Sequence, residues 1–267
     1  MGTRLDIIML YCSVALLLPL LAQSHPHPHI DDEGLPIDCE DVFKNGSIHS
    51  GVYTIYPEGE DSAVEVYCEM GCPENENMEE GHWTVILRRM DGSVNFDRTY
   101  AQYSEGFGYK DGEYWLGLEN MHLLTIKGDG NWYSLRVDVE DFAGSKIFAL
   151  YPTFRVESAS AGYRLHLVDF INGGAGDSLK AHNGHMFSTF DRDQDTYWGQ
   201  CAAGHVKGGF WFHKCQEANT NGQYQWHHHH GNGANGLYWS TWTSASLKAI
   251  TLKIKRVHRA DEVTDYS

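Results

Sequence analysis

The chain has 267 residues, 13% of them aromatic, with 28 glycines and a net charge of −16 when histidine is neutral. That length admits one domain or two small ones, the aromatic side chains can build a substantial core, and the glycines point to a turn-rich body rather than a helical bundle. So acidic a balance argues against nucleic acid and anionic membrane as partners, because phosphates are neutralised by clustered Lys and Arg, and it is compatible with cation binding.

Arg4 precedes an apolar run over residues 7–21, and the Ala-Gln-Ser stretch at 22–24 offers a cleavage site. This predicts a secretory signal over residues 1–24, cleaved before His25. A membrane anchor is the alternative, disfavoured by the short run and by Pro19. No other apolar stretch is long enough to span a bilayer, so the mature chain is expected to be extracellular without membrane insertion. Residues 25–37, HPHPHIDDEGLPI, are proline-broken and read as an extended tail.

From Asp38 the pattern becomes short strands with turn punctuation. GVYTIYP and AVEVYCEM alternate apolar and polar residues, as half-buried strands do. HWTVILRRMDGS predicts a strand ending in a hairpin-type turn at Asp91-Gly92. Short helices are expected within RTYAQYSEGFG and LENMHLLTI. WYSLRVDVEDF and IFALYPTFRVE form an expected antiparallel pair joined by AGSK, with YRLHLVDF after them. Residues 173–236 carry many Gly, Asn, Asp and His with little periodicity, and loops that long are usually functional or metal-organised. A late alternating strand, LKAITLKIKRV, closes the body, and residues 259–267 read as an acidic tail.

Five cysteines remain once Cys12 leaves with the signal: Cys39, Cys68, Cys72, Cys201 and Cys215. Outside the cell they allow at most two internal bridges, with one cysteine over. Zinc is the rival use, since Cys68 and Cys72 have a possible ligand spacing, but no second close pair completes a site.

In FSTFDRDQDTYWGQC, Asp191, Asp193 and Asp195 occupy alternate positions. Close carboxylates repel unless water or a cation intervenes, and calcium takes six to eight oxygens at about 2.3–2.6 Å. The run is not an EF-hand: counted from Asp191, the sixth position is Thr196 rather than Gly and the twelfth is Ala202 rather than Glu. A solvated acidic turn is the plain alternative. His227 to His230 beside Trp226, and His25, His27 and His29 in the tail, suggest either soft-metal or pH-sensitive contacts or simply solvated histidines. Asn45-Gly46-Ser47 is a sequon for N-glycosylation at Asn45.

Seven blocks in order carry a family resemblance: DCEDVFKNGSIHSGVYTIYP, HWTVILRRMDGSVNF, GEYWLGLENMHLLT, LRVDVEDF, GAGDSL, FSTFDRDQD and LKIKR. They resemble the fibrinogen-related domain, placed at residues 38–258. The resemblance implies an α+β fold, a twisted, mainly antiparallel sheet with a loop-rich calcium- and ligand-binding region. Calcium would be held by the side chains of Asp193 and Asp195 and the backbone carbonyls of Tyr197 and Gly199, with Asp191 fixing the loop behind them. The resemblance pairs Cys39 with Cys68 and Cys201 with Cys215, and it leaves Cys72 as a candidate interchain cysteine. Cys39 bonded to Cys72, or a thiol cap on Cys72, is the alternative. The resemblance also implies a cis peptide between Lys214 and Cys215.

In related lectins an acetyl pocket surrounds the second cysteine of the pair. Here its candidate residues are His205, Phe210, Trp211, Phe212, Lys214, Cys215, Gln216, Gly233 and Ala234. Gln216 stands where a histidine is usual and Gly233 where a tyrosine is common, so selectivity for acetylated sugars is expected to be weak or absent. The expected function is calcium-dependent binding of glycans or matrix fibre proteins, in elastic-fibre association or innate recognition, by a secreted homo-oligomer. Relatives tied to elastic microfibrils carry an Arg-Gly-Asp motif that is absent here, so integrin contact is not expected. A purely structural, protein-binding matrix role is the second reading. A hydrolase is the third, through the Gly-Asp-Ser-Leu run at residues 176–179, although such a serine belongs early in an α/β domain and here stands late among strands and loops.

Overall fold

Strand signals begin at residue 38, yet the first element is a helix. The computed structural model describes residues 34–71, 81–126, 132–204, 206–226 and 235–257. In it α1 spans Cys39–Lys44, and the Asp38 carboxylate accepts the N–H groups of Glu40 and Asp41. An aspartate N-cap satisfies donors that the first turn leaves orphaned, and this local effect outweighs the weak alternation of the stretch. Asp38 also accepts from the Tyr133 hydroxyl at 2.5 Å and from Arg256 Nη2 at 2.8 Å, which ties the start of the domain to its last strand.

The strands that follow are β1 (Gly51–Ile55), β2 (Val64–Glu69), β3 (Trp83–Arg89), β4 (Phe107–Gly108), β5 (Tyr114–Trp115), β6 (Trp132–Glu140), β7 (Lys146–Val156), β8 (Leu165–Val168), β9 (Ile171–Gly173), β10 (Ala218–Asn219), β11 (Tyr238–Trp239) and β12 (Ala249–Val257). The main sheet runs β1-β2-β3-β12-β6-β7-β8, with β4, β5 and β9 at its margins, and every pairing between its strands is antiparallel. β10 and β11 form a separate two-stranded ribbon. The late strand is therefore central rather than closing: β12 lies between β3 and β6 and buries Ile250, Leu252 and Ile254.

The β6–β7 hairpin follows the expected pairing, from Glu140 opposite Lys146 onward. Its turn is set by Asp141, whose carboxylate accepts the N–H groups of Ala143 and Ser145. The hairpin expected at Asp91-Gly92 does not form. β3 already pairs with β2 and β5 along one edge and with β12 along the other, so no edge is left for a returning strand. The backbone N–H groups of Met90, Asp91 and Gly92 instead converge on Glu113 Oε1 at 2.7, 3.1 and 3.0 Å, and that of Val94 on Oε2 at 3.1 Å.

Two further helices match the expected positions. α2 (Tyr100–Glu105) starts with a capping box between Thr99 and Gln102. α3 (Leu118–Thr125) buries Leu118, Met121 and Leu124 and lies against β7. An aromatic cluster then joins α2 and β5 to the loop region: Phe187 lies 5.0 Å from Tyr103 and 5.1 Å from Trp211, and Tyr103 lies 5.4 Å from Trp115. Those rings give the long loops a rigid floor.

Candidate functional site

The acidic loop is built from its anchored ends. Phe187 is fully buried, and Ser188 exchanges both backbone hydrogen bonds with Phe210. Thr189 and Arg192 close a tight turn by the same double exchange. The turn sets the exposed Asp191 against the start of α2, where its Oδ1 accepts the N–H of Tyr100 at 2.9 Å and the Thr189 hydroxyl at 2.7 Å. The Arg192 guanidinium lies over the Tyr100 ring at 4.1 Å. Gln194 secures the next step, its N–H on Ser188 Oγ and its side chain donating to the Phe187 carbonyl.

Asp193 and Asp195 have a different setting. Asp193 Oδ1 accepts the N–H of Asp195 at 3.2 Å. Asp195 accepts from Tyr197 N–H through Oδ1 and from Cys201 N–H through Oδ2, both at 2.9 Å. Partial burial pushes the Asp195 pKa up and the Asp193 carboxylate adds to that, while the two N–H groups oppose it. Neither aspartate forms an ion pair with a described residue. The carbonyls of Tyr197 and Gly199 accept no hydrogen bond from the described residues. Two uncompensated carboxylates beside two open carbonyls are hard oxygen donors, and they fit calcium, with water completing the shell. Among the described residues no group of three His, Cys, Asp or Glu side chains is placed to hold a metal, so backbone carbonyls and water would supply most of the shell. When bound, calcium would offset the carboxylate repulsion and stiffen the turn before Cys201.

Disulfides join Cys39 to Cys68 and Cys201 to Cys215. The second bridge pins the acidic loop to the segment after residue 210, and Thr196 Oγ1 donates to the His213 carbonyl at 3.1 Å beside it. Cys72 lies outside the described residues, as do His205, Gly233, Ala234 and His227 to His230. The Lys214–Cys215 peptide is not cis; no described peptide is, and Cys215 takes a left-handed φ of 60° that turns the chain instead.

Phe210, Trp211 and Phe212 are not a ligand-facing wall. All three side chains are buried, and Trp211 packs on Trp115 and Phe187 while its indole N–H donates to the Tyr163 carbonyl. The resemblance to related lectins implied a pocket wall here, but the floor of the domain takes these side chains up. Of the remaining candidates, Lys214 is exposed while Cys215 and Gln216 are half-buried.

Several residues that hold this region carried no sequence signal. His182 is fully buried; its Nδ1 lies 2.8 Å from the Trp211 carbonyl, and its Nε2 accepts the N–H groups of Glu217 and Ala218, both at 3.1 Å. Backbone N–H groups can only donate, so the ring is neutral with its proton on Nδ1. Burial pushes its pKa down to about 4, with the His185 and His213 rings adding to the effect. Arg89 and Glu113 are a buried pair, with Nε 3.6 Å from Oε1. Arg89 Nη1 also donates to the carbonyls of Thr220 and Gly222, which fixes the residues 219–226 segment on β3. The Gly-Asp-Ser-Leu serine, Ser178, is buried and bonded to the Ser240 and Thr241 hydroxyls, with no hydrogen bond to a base among the described residues.

Comparison with known proteins agrees with this architecture. The family model for the fibrinogen beta and gamma chains, C-terminal globular domain, matches residues 35–257. Bovine microfibril-associated glycoprotein 4 is 47% identical over 229 residues, covering 83% of this chain and 86% of the relative. The fibrinogen-like globe domain of human ANGPTL2 superposes with a TM-score of 0.74 at 41% identity, covering 82% of this chain and 98% of that one. A lamprey fibrin D-dimer, in complex with the peptide Gly-His-Arg-Pro-amide, gives 0.72 at 35% identity, covering 82% and 73%. The family is non-enzymatic, and this chain is not an enzyme. Its matched length, sheet topology and disulfides make one statement: the chain belongs to the fibrinogen C-terminal domain family, with microfibril-associated glycoprotein 4 among its similar relatives.

Proposed function

We propose that this protein is a secreted recognition module of the extracellular space, in which a calcium ion braces a loop surface that binds glycans or matrix fibre proteins. The observation that supports the calcium part is the pair Asp193 and Asp195, uncompensated by any described cation, beside the open carbonyls of Tyr197 and Gly199. Affinity in extracellular modules of this kind is about 10⁻⁴–10⁻³ M, matched to calcium outside cells. The likeness to a microfibril-associated glycoprotein supports the matrix setting, and the sequon at Asn45 fits a glycoprotein. With Gln216 beside the disulfide, recognition does not depend on an acetyl group. The chain works as an oligomer, which would multiply weak contacts. A solid-phase screen against glycans and matrix proteins, with calcium and with EDTA, tests the reading; calcium-dependent retention is expected, and a ligand profile unchanged by EDTA would refute it.

The second reading is a protein-binding matrix component without sugar recognition. The peptide held by the related lamprey fibrin structure favours it. In the same screen it predicts retention on matrix proteins alone.

A further inference from the structure

Beyond the acidic loop lies a cleft of about 430 Å³ between the segment after β3 and the residues 222–226 stretch. Its size falls in the range of small-molecule sites, about 300–1,000 Å³. Residues 93–97 line it, with Val94 and Phe96 buried and Ser93, Asn95 and Asp97 exposed at alternate positions. Gln223 and Lys207 face them across the opening. The Ser93 hydroxyl, the Asn95 amide nitrogen and the Gln223 side chain hydrogen-bond to no described residue.

At one end stands Trp226. It is 64% exposed, an unusual setting for the largest apolar side chain. Yet it is held on three sides. Its indole N–H donates to the Asp91 carbonyl at 3.0 Å, and its ring meets Tyr224 edge-on at 5.6 Å. The third support is Gly92, with φ of 76°, where an added Cβ would stand 2.9 Å from the Trp226 ring and 2.8 Å from Tyr224. The exposed face is therefore fixed before any ligand arrives, so little rotamer entropy is lost on binding.

The charge of the cleft narrows the ligand class. Among its described lining residues Lys207 is the one exposed cation, and it is paired with Asp97 at 3.7 Å. Arg89, beneath, is buried and committed to Glu113 and two carbonyls. A sulfated or phosphorylated group would find no free cation among these residues. A rigid apolar platform flanked by amides, a hydroxyl and one balanced ion pair suits a ring with an apolar C–H face and many hydroxyls. We propose that this cleft binds a neutral saccharide, stacked on Trp226 and hydrogen-bonded by Ser93, Asn95, Asp97 and Gln223. The proposal rests on the glycan reading above, but it assigns the contact to residues outside the acidic loop and the disulfide segment.

The test uses the full mature chain and isothermal titration with cellobiose, lactose, chitobiose and mannobiose, each with calcium and with EDTA. At least one disaccharide should bind. Trp226→Ala should weaken it by about tenfold or more, the usual loss for a buried aromatic contact, whereas Trp226→Tyr should restore most of it. Asn95→Ala should weaken it less, by about three- to fivefold. Wild-type affinity in Trp226→Ala, or no binding of any disaccharide by the wild type, overturns the proposal. Loss in Asp193→Ala with full binding in Trp226→Ala would overturn the cleft while leaving the calcium-braced reading intact. Failure of calcium to raise the melting temperature would sink that reading without touching the cleft.

Discussion

The carboxylate of Asp191 accepts the backbone N–H of Tyr100 at 2.9 Å, across 91 residues of sequence. Tyr100 is the first residue of α2, so one acid both closes its own turn and caps a helix start. A carboxylate in that position gains from the orphaned N–H groups and from the helix dipole. Asp191→Ala should therefore cost about 1 kcal/mol of stability even in EDTA. Urea unfolding without calcium checks it, with Asp193→Ala, which caps nothing, as the comparison expected to stay near wild type.

Asp193 and Asp195 should matter only when calcium is present. For a dissociation constant of about 10⁻⁴–10⁻³ M, about 2 mM calcium stabilises the fold by about 0.6–2 kcal/mol, a rise of a few degrees in melting temperature. Asp193→Ala and Asp195→Ala should each abolish that rise, and Asp191→Ala should reduce it. Differential scanning calorimetry at fixed ionic strength distinguishes these outcomes; a wild-type transition indifferent to calcium would count against the metal.

Glu113 is the hub of the loop after β3. It accepts four backbone N–H groups and faces the buried Arg89 guanidinium, whose pKa is lowered by burial with Glu113 opposing that shift. Removing the acid leaves a buried charge unpaired, a loss of about 3–5 kcal/mol. Glu113→Ala should unfold at much lower urea than wild type, and Glu113→Gln, which keeps an acceptor oxygen, should fall between them.

His182 gives stability a pH dependence of known sign. Its folded pKa is depressed to about 4, against an unfolded value near 6.5. Between those values the unfolded chain takes up the proton and the folded chain does not. The contribution is complete above pH of about 6.5, is lost as pH falls toward about 4, and amounts to roughly 3 kcal/mol in all. His185, depressed in the same direction by burial and by His213, adds to the slope. Chemical denaturation of wild type and His182→Gln from neutral to acidic pH should show the wild type losing more stability across that window. Parallel curves would exclude the assignment.

Cys72 has no expected partner within the chain once the two disulfides are made. Oligomers by a two-fold axis are the commonest, and an extracellular thiol is chemically labile. Wild type should run as a disulfide-linked dimer in non-reducing electrophoresis and Cys72→Ser as a monomer. Monomer bands in both lanes would remove this cysteine from the assembly.

Local pattern sufficed for much of this molecule. The β6–β7 hairpin follows from two alternating runs joined by AGSK, and α2 and α3 fall within the two stretches read as short helices. These signals act over a few residues, so they survive in the linear text. The family blocks likewise located the acidic loop and its three aspartates. Alternation in β12 identified a strand, but only long-range pairing made it the centre of the sheet. Asp38 caps α1 by local hydrogen bonds, but only the folded sheet brings Tyr133 and Arg256 onto the same carboxylate. Phe210 to Phe212 read as a pocket wall because composition is silent on which side of an aromatic faces water; packing on Trp115, Phe187 and His182 decided it. The Arg89–Glu113 pair and the braced face of Trp226 join residues far apart in the chain. Such contacts exist only after the sheet has brought β3, β5 and the residues 219–226 segment together, because burial and ion pairing depend on distances that sequence separation does not encode.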